Sequence, residues 1–361
     1  MITAALASLP AADPQSKRSA RLPPAVLTEV PMRLIGLVLT LILTLVPLRV
    51  EGQQTPKGPR AGIPRVGVLS PFTSAAAADD IRAFRQGIRD LGYIAGQNIA
   101  IETRWAEGRL DRLQLLAAEL VQLKMDVIVT HSEPAIRAVK EATRTIPIVV
   151  AIAGDLVAAG HAMSLARPGG QITGFVDMAQ DMGAKRVELL KELVPTVSHI
   201  GVLWNVASSV KAREFKEVGA GARALGLGLQ SLEVRDADDL EREFKLATRA
   251  RVGAILVLPD PLTTGNAKHI ARFAAEAHLP TMFGLRDGVD AGGLMAYGPN
   301  RHASYRQAAV YVDKILRGAP PGDLPIQQPT TFELVINLKT AKALGLRIPQ
   351  SILVRADEII Q

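Results

Sequence analysis

Short polar stretches follow several apolar runs of this chain: Ser70-Pro71-Phe72-Thr73-Ser74, Thr130-His131-Ser132-Glu133 and Gly154-Asp155 in the first half, Asn205 and Pro259-Asp260 in the second. Hydroxyls, an imidazole, an amide and carboxylates in this arrangement suit the hydrogen-bonded capture of a small polar solute. The patterns that reacting groups would need are absent. There is no G-x-x-x-x-G-K-[ST], no H-E-x-x-H and no G-x-S-x-G. Gly219-Ala220-Gly221-Ala222-Arg223-Ala224 imitates part of a dinucleotide fingerprint. It lies late in a helix-period segment rather than directly after a strand, so it reads as small residues on a packed helix. Apart from His131, the histidines have no metal-ligand spacing, and no cysteine exists to serve as nucleophile or disulfide partner. No catalytic residue, metal or cofactor is therefore expected.

The elements that must position these groups are legible from periodicity. Val66–Leu69 is a strand candidate, and Thr73 or Ser74 can cap a helix whose apolar face is Ile81, Phe84, Ile88 and Leu91, stopped by Gly92. Asn98–Thr103 alternates as a strand, and Leu113, Leu116, Leu120 and Leu123 mark a helix. The runs Asp126–Thr130 and Ile146–Ala151 follow, with a helix opened by Pro134 between them and another expected from about Asp155. In the second half, strands are expected at Ile200–Trp204, Leu229–Val234, Gly253–Leu258 and Pro280–Phe283. Helix faces between them are marked by Phe215, Val218, Ala222 and Leu225, then Leu240, Phe244 and Ala247, then Ile270, Phe273 and Ala277. This βα order forces parallel sheets with right-handed crossovers.

Three landmarks recur at nearly constant spacing: Gly67 and Gly201 at 134 residues, Ile128 and Ile255 at 127, Pro147 and Pro280 at 133. Two similar α/β lobes in tandem explain this directly. In open parallel sheets, ligands sit beyond the carboxyl ends of the strands, where helix N-termini present unpaired N–H groups. If the lobes face each other, the polar stretches of both meet across one cleft.

Apolar residues make up 48% of the chain but aromatics only 4%, the Ala-, Leu-, Val- and Ile-rich diet of helix-covered parallel sheets. Met32-Arg33, the apolar run Leu34–Val46 and the segment to Gly52 fit a secretory signal, and the run is shorter than the roughly 20 residues of a membrane span. Residues 1–52 are read as a leader, with the signal at 32–52 and Met32 a candidate true start. Of the net +7, the remainder of the chain keeps 37 basic against 32 acidic residues, interspersed along helices. That is a solvated face rather than a nucleic-acid surface. Export without a cysteine for lipid attachment points to a freely diffusing periplasmic protein.

Arg65–Ser70, Phe84–Tyr93, Gly96-Gln97-Asn98, Arg104–Gly108, Leu165–Gly170 and above all Phe332–Gly345 resemble the ABC transporter substrate-binding protein family, which has tryptophan- and phenylalanine-binding members. The similarity runs from about Arg65 to the C-terminus. It implies a type I periplasmic-binding fold of two Rossmann-like lobes, joined by three crossing segments around a ligand cleft. The lobes would be 65–178 plus about 299–325, and 179–298 plus about 326–361. It further implies a small-molecule ligand, an amino acid or related carboxylate, and as partners an inner-membrane permease and its ATPase. A monomer is expected. By position, Ser70 and Thr130 would meet a ligand carboxylate and Asp155 an amine, with Asn205, Asp260 and Tyr297 approaching from the other lobe and His131 close by. Asp155 and Asp260 are equally readable as helix caps, Tyr297 as a rim or core aromatic, and Trp204 as core. The chain departs from its relatives in two places. His131-Ser132-Glu133 stands where many have glycines, and Leu156 follows Asp155 where many have proline. The alternative is a ligand-sensing module without transport, although no helix-turn-helix precedes the first lobe; an α/β enzyme ranks behind both.

Overall fold

The computed structural model describes residues 62–178 and 182–361, which fall within one compact unit; the leader expected at 1–52 lies outside the described residues. From Arg65 the chain runs β1 (Arg65–Ser70), α1 (Ala78–Asp90), β2 (Ala100–Trp105), α2 (Leu113–Gln122), β3 (Val127–His131), α3 (Glu133–Ala142), β4 (Ile148–Ala153) and β5 (Ile172–Val176). These strands form one parallel sheet in the order β2-β1-β3-β4-β5. β3, β4 and β5 are buried along their whole length, as both faces of a helix-covered parallel sheet require.

The second half runs α4 (Gly183–Leu193), β6 (His199–Asn205), α5 (Ser209–Ala224), β7 (Gly228–Val234), α6 (Asp239–Arg249), β8 (Ala254–Val257), α7 (Pro261–Gly265), α8 (Ala267–Glu276), β9 (Thr281–Phe283), α9 (Asp287–Asp290) and β10 (Met295–Pro299). After it come α10 (Arg301–Leu316), β11 (Phe332–Asn337), α11 (Leu338–Ala343), α12 (Gln350–Leu353) and β12 (Glu358–Ile360). The second sheet has the order β12-β11-β10-β9-β8-β6-β7. Taken from β7, its first five strands repeat the order of the first sheet, so the duplicated landmarks mark equivalent strands: β1 and β6, β3 and β8, β4 and β9. The sheet is otherwise parallel, but β11 runs antiparallel to β10 because it enters only after the chain has left for the first sheet and returned.

That excursion is made by α10, which packs on α1 and β4. Gly87 of α1 makes the approach possible, since a Cβ there would lie 2.4 Å from the Arg306 carbonyl oxygen and 2.8 Å from the Ala309 Cβ. The returning strand segment then lies against β5, with the Gln327 N–H donating to the Gly174 carbonyl at 2.8 Å and the Val176 N–H to the Gln327 carbonyl at 2.9 Å. Gly221, from the imitation fingerprint, meets α4 instead of a nucleotide: its Cβ would stand 2.9 Å from the Ala184 Cα.

Two local expectations give way. No helix follows Asp155. The chain makes a turn, with the Ala159 N–H on the Asp155 carbonyl and the Gly160 N–H on the Val157 carbonyl, and then runs irregularly to β5. Only four residues lie between Asp155 and Gly160, and Pro168-Gly169-Gly170 prevents a later start. Nor do Thr73 and Ser74 cap α1: Thr73 Oγ1 accepts from the Ala76 N–H inside a preceding turn, and the helix begins at Ala78.

The second lobe buries an ion cluster where α4 meets α5. Arg186 Nη1 lies 2.9 Å from Glu214 Oε1 and Lys211 Nζ 2.6 Å from Glu214 Oε2, while Arg186 Nε donates to the Tyr297 carbonyl at 2.8 Å. One carboxylate thus answers two buried cations. Removing one partner of such a set leaves an uncompensated charge, so Glu214→Ala is expected to lower the unfolding free energy by about 3–5 kcal/mol, with Glu214→Gln milder. Gly87→Val is expected to cost about 1–3 kcal/mol, because the obstructing atoms include backbone. Urea unfolding midpoints measure both; a wild-type midpoint for either variant would contradict the packing described.

Candidate functional site

Between the carboxyl ends of the two sheets lies a cavity of about 760 Å³, counting the part open to solvent. Most of the wall is made by residues that follow a strand or open a helix. From the first sheet come Phe72 after β1, His131 to Glu133 at the β3–α3 junction, Gly154 to Leu156 after β4, and Asp177 after β5. The second contributes Ser208 and Lys211 at the start of α5, Pro259 to Pro261 at the start of α7, and Leu285 after β9. Arg301, the first residue of α10, completes the back wall.

The β3–α3 junction is bent to present its side chains. The register with β4 shifts between Thr130 and His131, and Ser132 adopts φ of +63°, a conformation that costs a non-glycine residue about 1–3 kcal/mol. Ser132 Oγ is buried without a hydrogen-bond partner. The hydroxyl of Tyr305 makes a short contact with His131 Nδ1. Burial, and then the charge of Arg301, pushes the His131 pKa down to about 3, while burial raises Tyr305 well above the ordinary phenol value. Both groups are therefore neutral. If Tyr305 donates to Nδ1, the Tyr305 proton has an acceptor and His131 carries its own proton on Nε2, which has no protein partner. Elsewhere on the lining, both ring nitrogens of His161 are also buried without a hydrogen-bond partner, and Nε2 lies 3.8 Å from Glu133 Oε1. His161 most, and Arg137 further, hold the Glu133 carboxyl below its usual range against the effect of burial.

Across the cavity, Asp260 caps α7 by accepting from the Leu262 N–H at 3.0 Å, and it also accepts from Asn205 Nδ2 at 2.9 Å. Burial lifts its carboxyl above the ordinary value despite these bonds. For Lys211, burial opposes the charge, but Glu214, Asp177 and Asp260 outweigh it and the pKa sits above that of a free lysine. At the back, Arg301 Nε lies 3.0 Å from Asp80 Oδ1 on α1, and Nη2 lies 2.5 Å from Asp287 Oδ1 on α9; Nη1 has no partner. Burial pushes Asp80 up to about 6 and Arg301 opposes it, so the pair is ionised at neutral pH.

Of the residues expected from sequence, His131, Asp155 and Asp260 line the cavity. Asp155 is exposed at its mouth and accepts from the Val157 and Ala158 N–H groups at 3.0 Å, so it is also a turn cap. Ser70, Thr130, Asn205 and Tyr297 are not part of the lining. Ser70 Oγ accepts from the Phe72 N–H, Thr130 Oγ1 donates to the Leu69 carbonyl, and Asn205 bridges Asp260 and the Ala207 N–H. Tyr297 sits within β10 with its ring near Phe332. Sequence reasoning missed Arg301, Lys211, His161 and Asp177. Among the described residues, no group of three or more His, Cys, Asp or Glu side chains is placed to hold a metal ion.

An unfolded histidine takes a proton near pH 6.5 but folded His131 only near 3, so in that window the unfolded chain binds more protons and stability falls as pH drops. Asp80 acts in the opposite sense between 3.8 and about 6, where the folded chain holds more protons. His131→Gln, which lacks the first effect but keeps an acceptor for Tyr305, is expected to retain more of its neutral-pH stability at about pH 4.5 than the wild type. Urea midpoints against pH test this; parallel curves would mean that His131 is not held neutral by the fold.

Comparison with known proteins places this cleft in a wider set. The tyrosine-binding protein of Clostridioides difficile (strain R20291) is 26% identical over 267 residues, covering 74% of this chain and 76% of the relative. An ABC domain from Streptococcus pneumonia, solved in complex with L-Trp, superposes with a TM-score of 0.76 at 26% identity, over 83% of this chain and 100% of that one. A conserved domain protein from Vibrio cholerae O1 biovar eltor gives the same TM-score and identity over 82% of this chain and 100% of its own. The two facing lobes have the type I periplasmic-binding architecture. With residues 65–360 matching it throughout, the chain belongs to the ABC transporter substrate binding protein family.

Proposed function

We propose that this protein is the solute-binding component of an ABC importer. It takes up an amino acid or a related small carboxylate between its lobes and closes over it. It then delivers the solute to an inner-membrane permease with its ATPase. The observation that carries this reading is the set of buried polar atoms without protein partners around one cavity, namely Ser132 Oγ, His131 Nε2 and Arg301 Nη1, together with helix N-termini from both lobes. Under this reading the α-carboxylate docks at the N-terminus of α3 beside Ser132, and Asp155 meets the amine at the mouth. Phe72, Ile136 and Leu156 supply apolar contact for a side chain. The named ligands of the relatives, tyrosine and L-Trp, support an amino acid.

Magnitudes favour closure over a one-lobe site. A helix N-terminus contributes about 0.3–1 kcal/mol to an exposed anion and about 2 when partly buried. Micromolar affinity needs roughly 8 kcal/mol, so contacts from both lobes and exclusion of water are required. A closed form populated by ligand is also what a permease can distinguish. The leader read from residues 32–52 supports export to the periplasm, and the lack of cysteine supports a protein that diffuses freely there. Among the described residues no helix is long and apolar enough to cross a membrane.

Calorimetry of the purified protein against the proteinogenic amino acids is expected to give stoichiometric binding without turnover; chemical conversion of the bound solute would overturn the reading. Asp155→Ala is expected to weaken L-tryptophan by about tenfold while leaving indole-3-propionate, which lacks the amine, nearly unchanged. Equal losses for the two would remove Asp155 from the site.

A further inference from the structure

Two buried nitrogens among the residues lining the cleft have no hydrogen-bond partner in the protein: Arg301 Nη1, a donor, and His131 Nε2, a donor when Tyr305 donates to Nδ1. Arg301 is 5% exposed; Nε and Nη2 are held by Asp80 and Asp287, and Nη1 is left over. His131 is 3% exposed and engages Tyr305 through Nδ1, leaving Nε2. Phe72 is common to both. The guanidinium carbon of Arg301 lies 5.2 Å from its ring centroid, and the His131 ring lies 4.9 Å from it on the cavity side. A buried donor without an acceptor carries a desolvation penalty that an incoming acceptor relieves.

The charge balance restricts which acceptor that is. Arg301 is one cation between two carboxylates, one on α1 beneath the first sheet and one on α9 beside the second. A ligand carboxylate would be a third anion around a single guanidinium. An uncharged oxygen meets the same donors without that repulsion.

Resting on the solute-binding reading above, we propose that Arg301 and His131 form a specificity subsite for an uncharged oxygen acceptor, a hydroxyl or an amide carbonyl, at the far end of the ligand. The ligand class is then an amino acid whose side chain ends in such an oxygen. Arg301 is the specificity-determining residue, and Tyr305 positions His131 by fixing which ring nitrogen carries the proton. Because Arg301 also joins α1 to α9, the ligand's side chain engages a guanidinium that ties the two lobes together.

The test is calorimetry with matched probes: L-tyrosine against L-phenylalanine, L-glutamine against L-norleucine, and L-glutamine against L-glutamate. The wild type is expected to favour the uncharged oxygen-bearing member by about 10- to 100-fold in at least one of the first two pairs, and L-glutamine over L-glutamate. In His131→Phe and Arg301→Lys the preference within that pair is expected to fall by about tenfold or more, while affinity for the apolar member changes little. Arg301→Lys keeps a cation between Asp80 and Asp287, so it remains informative if Arg301→Met does not fold. Wild-type binding with no preference in either pair, or a preference for L-glutamate, overturns the subsite and leaves the solute-binding reading standing. Variants that weaken both members of a pair equally show a merely structural role and also overturn it. Failure of every amino acid to bind overturns both.

Discussion

The close approach of α10 to α1 is the constraint on which the cleft depends. A helix that begins just after β10 of the second sheet can serve the first only if it lies nearly backbone to backbone against α1, and Gly87 provides that room. Once α10 is seated, Arg301 and Tyr305 stand one turn apart on the face turned to the first lobe. Arg301 reaches Asp80 and Tyr305 reaches His131. Further along, Ala308, Ala309 and Val312 continue the buried face against Phe84 and Ile88. Packing of an ordinary apolar stripe thus sets the position of the two groups that close the back of the cavity.

Much of the fold was legible because it is written in periods. Apolar runs of four to seven residues between helix-period segments leave little alternative to parallel strands, and the repeated landmarks fell on topologically equivalent strands. The helix expected after Asp155 failed where period carries no information. The turn after Asp155 contains enough apolar residues to suggest a helix, but not enough chain to make one.

The site was legible only to within a residue or two. Knowing that ligands sit beyond strand ends pointed to Ser70, Thr130 and Asn205, but Ser70 and Asn205 accept from N–H groups of the turns that end their strands and the Thr130 hydroxyl donates to the Leu69 carbonyl of the neighbouring strand. The cavity wall begins one step later, with Phe72, His131 and Ser132, and in the second lobe with Ser208. Arg301 and Lys211 were missed for a different reason. Each opens a helix in a stretch dense with charge, where a buried cation cannot be told from a solvated one without its partners. Asp80 and Glu214, which hold them, lie 221 and 3 residues away, so only the second pairing had any trace in sequence spacing.

The chain has two tryptophans, and the fold gives one to each lobe. Trp105 ends β2, the edge strand of the first sheet, and Trp204 lies in β6 of the second, its ring stacked on Phe215 at 4.8 Å and its indole N–H on Ser231 Oγ at 2.9 Å. Phe215 belongs to α5, whose opening turn is a wall of the cavity. The molecule therefore carries an intrinsic fluorophore coupled to each half. With one indole replaced by phenylalanine, the emission of the other reports the melting of its own lobe, and whether the two halves unfold as one cooperative body becomes a question of optical spectroscopy.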